Sequence, residues 1–143
     1  MAQPNIVDVS RIYGQSLAMA LTTTTAEGTV TDFAFTVKTG VVLKVNNIIC
    51  SNIHPTDAGT LDIFLEQNNI DTSSGNEAPF TQNKTMPATA MYIVKGVSVA
   101  QGTSLVVLDH PLYLMETTKF KAKANAASVL QLTMSYEVIN TIA

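Results

Sequence analysis

Hydrophobic and polar residues alternate with a period of two along most of the chain. From Thr29 to Lys38, Phe33, Phe35 and Val37 point one way, and Asp32, Ala34, Thr36 and Lys38 the other. Val41–Ser51 places Leu43, Val45, Ile48 and Cys50 inward, with Asn46-Asn47 interrupting the rhythm as a β-bulge would. Thr60–Glu66 turns Leu61, Ile63 and Leu65 inward, and Thr117–Ala124 sets Phe120, Ala122 and Ala124 against Lys119, Lys121 and Lys123. Ser128–Ile139 is the most regular, with Leu130, Leu132, Met134, Tyr136 and Val138 on one face. Period-two alternation marks strands with one buried face. Ala90–Val99 reads as a further strand interrupted at Lys95-Gly96, and Leu105–Leu108 is apolar throughout, as in a strand buried on both faces. Ser16–Leu21 has helical residues, but Thr22–Thr25 after it are β-branched and favour a strand.

About eight short strands, turn signals between them and no capped amphipathic helix predict an all-β antiparallel sandwich of jelly-roll type. Residues 16–143 are read as a single domain. Residues 1–15 are read as an N-terminal arm, in which Asn5, Ile6, Val7, Val9, Ile12 and Tyr13 make a sticky extended segment or a first edge strand. A long loop near 67–85 is rich in Asn, Ser, Thr and Gly. Ile70 and Phe80 are its apolar anchors, and it is expected to project and touch something.

Composition narrows the function. Only 13% of the 143 residues are charged, about half the usual share, while 46% are hydrophobic. A net charge of -3 and one arginine, Arg11, leave no basic field for nucleic acid. No apolar run reaches the ~18 residues of a membrane helix, and the opening Met-Ala-Gln-Pro-Asn lacks the features of a signal peptide. A surface this poor in charge tends to associate.

Candidate chemistry is sparse. Asp109-His110, with a serine such as Ser104, invites a triad, but neighbours on a strand face opposite ways, so Asp109 is not expected to orient the ring. His54 and His110 are read as turn histidines, and they form no metal-ligand spacing. Asp71–Glu77 offers oxygen ligands without the ordered calcium-loop pattern, and reads as a solvated loop. Lys119, Lys121 and Lys123 form a stripe about 7 Å apart. It reads as a solvated edge strand guarded by lysine, with pairing to acidic residues of an adjacent subunit as the alternative. Cys50 reads as a small buried hydrophobe, and the sequon at Asn83 as coincidental. No cofactor and no catalytic or metal residue is expected.

Several stretches resemble a known family. Pro4-Asn5-Ile6-Val7-Asp8-Val9-Ser10-Arg11-Ile12-Tyr13-Gly14-Gln15 resembles the opening of small virion structural proteins of tailed bacteriophages of aquatic bacteria. Lys44–Asn52, Leu108–Glu116 and Met134–Ile139 resemble their middle and end. Gln15 stands where the family has lysine, Met115-Glu116 replaces a Gly-Asp turn, and the 67–85 insertion is longer. The resemblance implies a non-enzymatic virion component assembled in the host cytoplasm. Foremost is a capsid decoration (cement) protein bound to the major capsid protein and to copies of itself, with no nucleic acid or membrane partner. A neck or tail ring subunit, or a host-surface or glycan-binding sandwich, are the alternatives. The last is disfavoured by the absence of Trp and by only 6% aromatic residues.

Overall fold

The computed structural model of the chain describes residues 11–66 and 89–140. These residues hold nine strands and no helix: β1 Arg11–Ala20, β2 Phe33–Thr36, β3 Val41–Asn52, β4 Gly59–Glu66, β5 Met91–Val99, β6 Ser104–Leu108, β7 Leu112–Leu114, β8 Lys119–Ala124 and β9 Leu130–Asn140. One sheet runs β1-β9-β3-β6 with β7 also on β3, the other β2-β8-β4-β5, and all pairings are antiparallel. The two alternating faces close on each other as a β-sandwich, as the period-two pattern predicts.

The core comes from both inner faces. Val45, Ile48, Leu132 and Met134 of the first sheet and Leu61, Ile63, Phe120 and Ala122 of the second are fully buried. Each large aliphatic side chain among them contributes roughly 1.5–3 kcal/mol by leaving water. The bulge falls where Asn46-Asn47 predicts it: the β3–β9 register shifts between Val45 and Asn47. The extra residue lets both Val45 and Ile48 point inward. Close packing also fixes Gly59 at the start of β4. A Cβ there would stand 2.8 Å from the buried Leu130 side chain, a distance no packed carbon tolerates.

Several expectations are corrected. The strand favoured from Ser16 onward is present as the second half of β1, but it ends at Ala20. Thr22–Thr25 leave the sheet, because Thr22 and Thr24 turn their hydroxyls onto Asp32 at 2.7 and 2.8 Å. Asp32 was expected outward. It is buried instead, and the Ala26 N–H donates a third bond at 2.8 Å. β6 is not buried on both faces: it is a sheet edge, and Val106 is 58% exposed. The lysine strand β8 is not an edge but lies between β2 and β4. Its cations meet carboxylates of the same chain, with Lys119 Nζ 3.4 Å from Glu27 and Lys121 Nζ 3.1 Å from Glu66, while Lys123 stands opposite Asp62 in register. An interior strand can carry such a stripe only if neighbouring strands supply opposite charge.

The Asp32 site has a pH signature. The Thr22 hydroxyl, then the Thr24 hydroxyl and the Ala26 N–H, hold its carboxyl below the usual aspartate range. A depressed folded-state value means the stabilisation is present above the unfolded value and lost as pH falls through the folded one. Asp32→Asn is therefore expected to flatten the acid side of the stability profile below pH ~4 and to lower stability at neutral pH. Urea midpoints measured across pH check both.

Candidate assembly edge and apolar cleft

β1 forms one border of the first sheet. All ten of its residues pair with β9, from Arg11↔Asn140 to Ala20↔Gln131, without a register shift. Among the described residues nothing pairs with its other side. The remaining borders are short or interrupted: β2 has four residues and β6 five, while β5 carries register shifts, Lys95 and a left-handed Gly96 at φ 63°. β1 has no proline, no bulge and no charge after Arg11. Natural edges are usually blunted by such features because a bare row of N–H and C=O groups templates strand addition.

An open cleft of about 380 Å³ adjoins this border. Tyr13 and Leu17 of β1, Met134, Tyr136 and Val138 of β9, and Leu43 of β3 line it from the first sheet. Phe35, Thr36, Val37 and Lys38 line it from β2 and the residues just after. β2 stops at Thr36, and the two residues that follow it, Val37 and Lys38, line the cleft with it. The lining is mainly apolar. The Tyr136 hydroxyl donates to Gln15 Oε1 at 3.0 Å, which engages the polar end of that ring within the first sheet. Gln15 thus serves as a hydrogen-bond acceptor.

Of the residues singled out from the sequence, Ile12 and Tyr13 lie on β1, Ile12 exposed and Tyr13 at the cleft. The boundary drawn at residue 15 falls inside that strand, because pairing with β9 starts at Arg11. Asn5, Ile6, Val7, Val9, Ile70 and Phe80 lie outside the described residues, as do Asp71–Glu77 and Asn83. Phe35 and Val37 are read from the sequence only as one face of a strand and Lys38 as the other, and neither these nor Leu17 are predicted to line a site. The Leu17-Ala18-Met19-Ala20-Leu21 alternation of large and small side chains was the available clue.

The remaining chemistry is peripheral. Contrary to the strand argument, His110 Nδ1 does meet Asp109 Oδ1, at 2.5 Å. β6 ends at Leu108, so the pair sits in a turn where the opposite-face rule does not hold. Both side chains stand in solvent, at 72% and 86% exposure for Asp109 and His110, and the Ser104 hydroxyl is bonded to Ser51 at 2.9 Å. His54 Nδ1 accepts the Asp57 N–H at 3.0 Å inside its own turn. No group of three metal-ligating side chains occurs among the described residues. Cys50 is buried, and burial pushes its thiol up to about 11. Thr36, donating to Glu27 at 2.5 Å, and then Lys119 hold the Glu27 carboxyl below its ordinary range. Glu137, 3.1 Å away, raises Lys44.

The class these observations define is an antiparallel β-sandwich with one unguarded edge and an apolar cleft beside it. No family model and no curated protein sequence matches the chain. Among solved structures it is similar to a chain in a crystal structure of the T13 IBDV viral particle, with a TM-score of 0.38 and 8% identity. The likeness covers 92% of this chain and 32% of that one, so the chain spans about a third of the length of the protein it matches.

Proposed function

We propose that this chain is a non-enzymatic structural protein of a tailed-bacteriophage virion, decorating the capsid by binding the major capsid protein lattice. The observation that carries the reading is the unguarded ten-residue border at β1, uncharged beyond Arg11 and flanked by an apolar cleft. Such an edge is suited to main-chain pairing with a neighbour. The four sequence stretches that resemble small phage virion proteins, three of which fall on described strands and turns, supply the biological setting. A charge content of 13% suits a protein that works with much of its surface covered.

Cryo-microscopy of particles from the phage that carries this gene tests the reading. Density for a sandwich of this size at capsomer junctions is the expected result. Its appearance as a ring in the neck or tail would move the protein to that site, and its absence from the particle would remove the virion role.

A further inference from the structure

We propose that the cleft of one copy receives residues 5–10 of a second copy of this chain, with Val7 and Val9 against its apolar floor and Asp8 beside Lys38. The inference rests on the assembly reading above and names the surface that carries it.

The cleft and the segment match in pattern. In β1 the inward positions are odd-numbered, as Tyr13 and Leu17 show by lining the cleft. The same parity upstream falls on Val7 and Val9. They match in length too. Six extended residues span at most about 20 Å, and the floor from Tyr13 to Leu17 covers four residue steps, about 13 Å. They also match in charge. Asp8 is the sole charged residue among the first ten. Lys38 is exposed at the cleft, and among the described residues no carboxylate pairs with it.

The direction of the chain selects a second copy over the same one. β1 is extended and fully paired from Arg11 onward, with Tyr13 and Leu17 of that strand at the cleft. Returning into its own cleft would require a tight reversal just before Arg11. Only Ser10 separates Val9 from the paired Arg11, while a turn takes four residues, so Val9 has too short a link to double back onto the floor between Tyr13 and Leu17 of its own strand. An arm that continues outward finds its matching surface on a neighbour. Donor and acceptor are then different surfaces, which link copies head to tail into rings or chains, or reciprocally into a two-fold dimer.

Charge reversal in the full-length chain tests this by sedimentation over a concentration series. The chain is expected to associate, and Asp8→Lys or Lys38→Glu alone to weaken association about tenfold or more, since each places like charges together. Mixing the two variants should restore it, because the arm of the first then suits the cleft of the second. Neither a folding defect nor a contact within one chain produces such complementation. A second measurement mixes Val9→Cys with Leu17→Cys under mild oxidation, where buried Cys50 stays inert. A disulfide between the two chains is expected. A monomer at every concentration, variants that fail to complement, or cross-linking only within a chain that carries both substitutions would each overturn the proposal. Arm-linked association of a protein missing from virions would remove the virion reading alone. A capsid-bound monomer would remove this inference alone.

Discussion

Truncation of Phe120 to alanine is expected to cost about 3–5 kcal/mol, the range for a large aromatic removed from a packed core. Phe120 is fully buried on β8, and its ring lies 5.8 Å from Phe33 and 5.4 Å from Phe35, tilted against the first and stacked on the second. It pairs across the sheet with Phe35 on one side and Leu65 on the other. Removing it opens a void where β2, the shortest strand of the second sheet, is tied down. Because domains of this size have about 5–15 kcal/mol in total, the variant should be marginal. At roughly 2–4 °C per kcal/mol, the thermal midpoint should fall by about 6–20 °C. Urea unfolding with an unchanged m-value would confirm a loss of stability rather than a changed unfolded state. Val106→Ala, at an exposed edge position, is the control and should stay within about 0.5 kcal/mol.

Asn52→Asp exchanges one atom and is expected to be nearly as damaging at neutral pH. Asn52 closes β3 and is buried. Its amide nitrogen donates to two carbonyls, Asp57 at 2.8 Å and Val99 at 2.9 Å, while its oxygen accepts the His54 N–H at 2.8 Å. The side chain therefore joins the end of the first sheet to the last residue of β5 in the second and shapes the 53–58 loop. A carboxylate cannot donate, so two carbonyl oxygens would face a negative charge. At ~1–3 kcal/mol for each buried group left unsatisfied, the loss is about 2–6 kcal/mol. Acceptors around a carboxylate favour its protonated form. Its folded-state value is thus raised, and part of the lost stability should return as pH falls, the reverse of the Asp32 effect. Urea midpoints at neutral and mildly acidic pH distinguish the two slopes. A variant as stable as the parent would mean that these bonds contribute nothing net.

The strands were legible wherever one face meets the core and the other meets water. β4, β8 and β9 follow their alternation closely, and the Asn46-Asn47 bulge was visible because it breaks a period otherwise kept. Misreadings came where local chemistry outweighs propensity. Thr22 and Thr24 have strand-forming side chains, yet three hydrogen bonds to Asp32 bind that segment as a loop. Leu105–Leu108 is apolar enough for an interior strand, yet its place in the sheet leaves it at a border. Of the candidate site, the alternation of Tyr13 and Leu17 was present in the sequence. The cleft was not, because its lining joins β1, the end of β2, β3 and β9, which lie far apart in the chain.

The sequence by itself determined the all-β class, most inward positions, the bulge and a surface poor in charge. Side-chain alternation and composition are local properties, and each strand expresses them wherever it is placed. Strand order was decided by the tertiary structure alone. It put the lysine strand in the interior beside its own carboxylates, brought Asn52 to Val99, left β1 without a second neighbour and opened the cleft next to it. Those features arise from pairings between residues far apart in the chain, such as Arg11 with Asn140. A period-two pattern says which face of a strand is buried, but not which strand lies beside it.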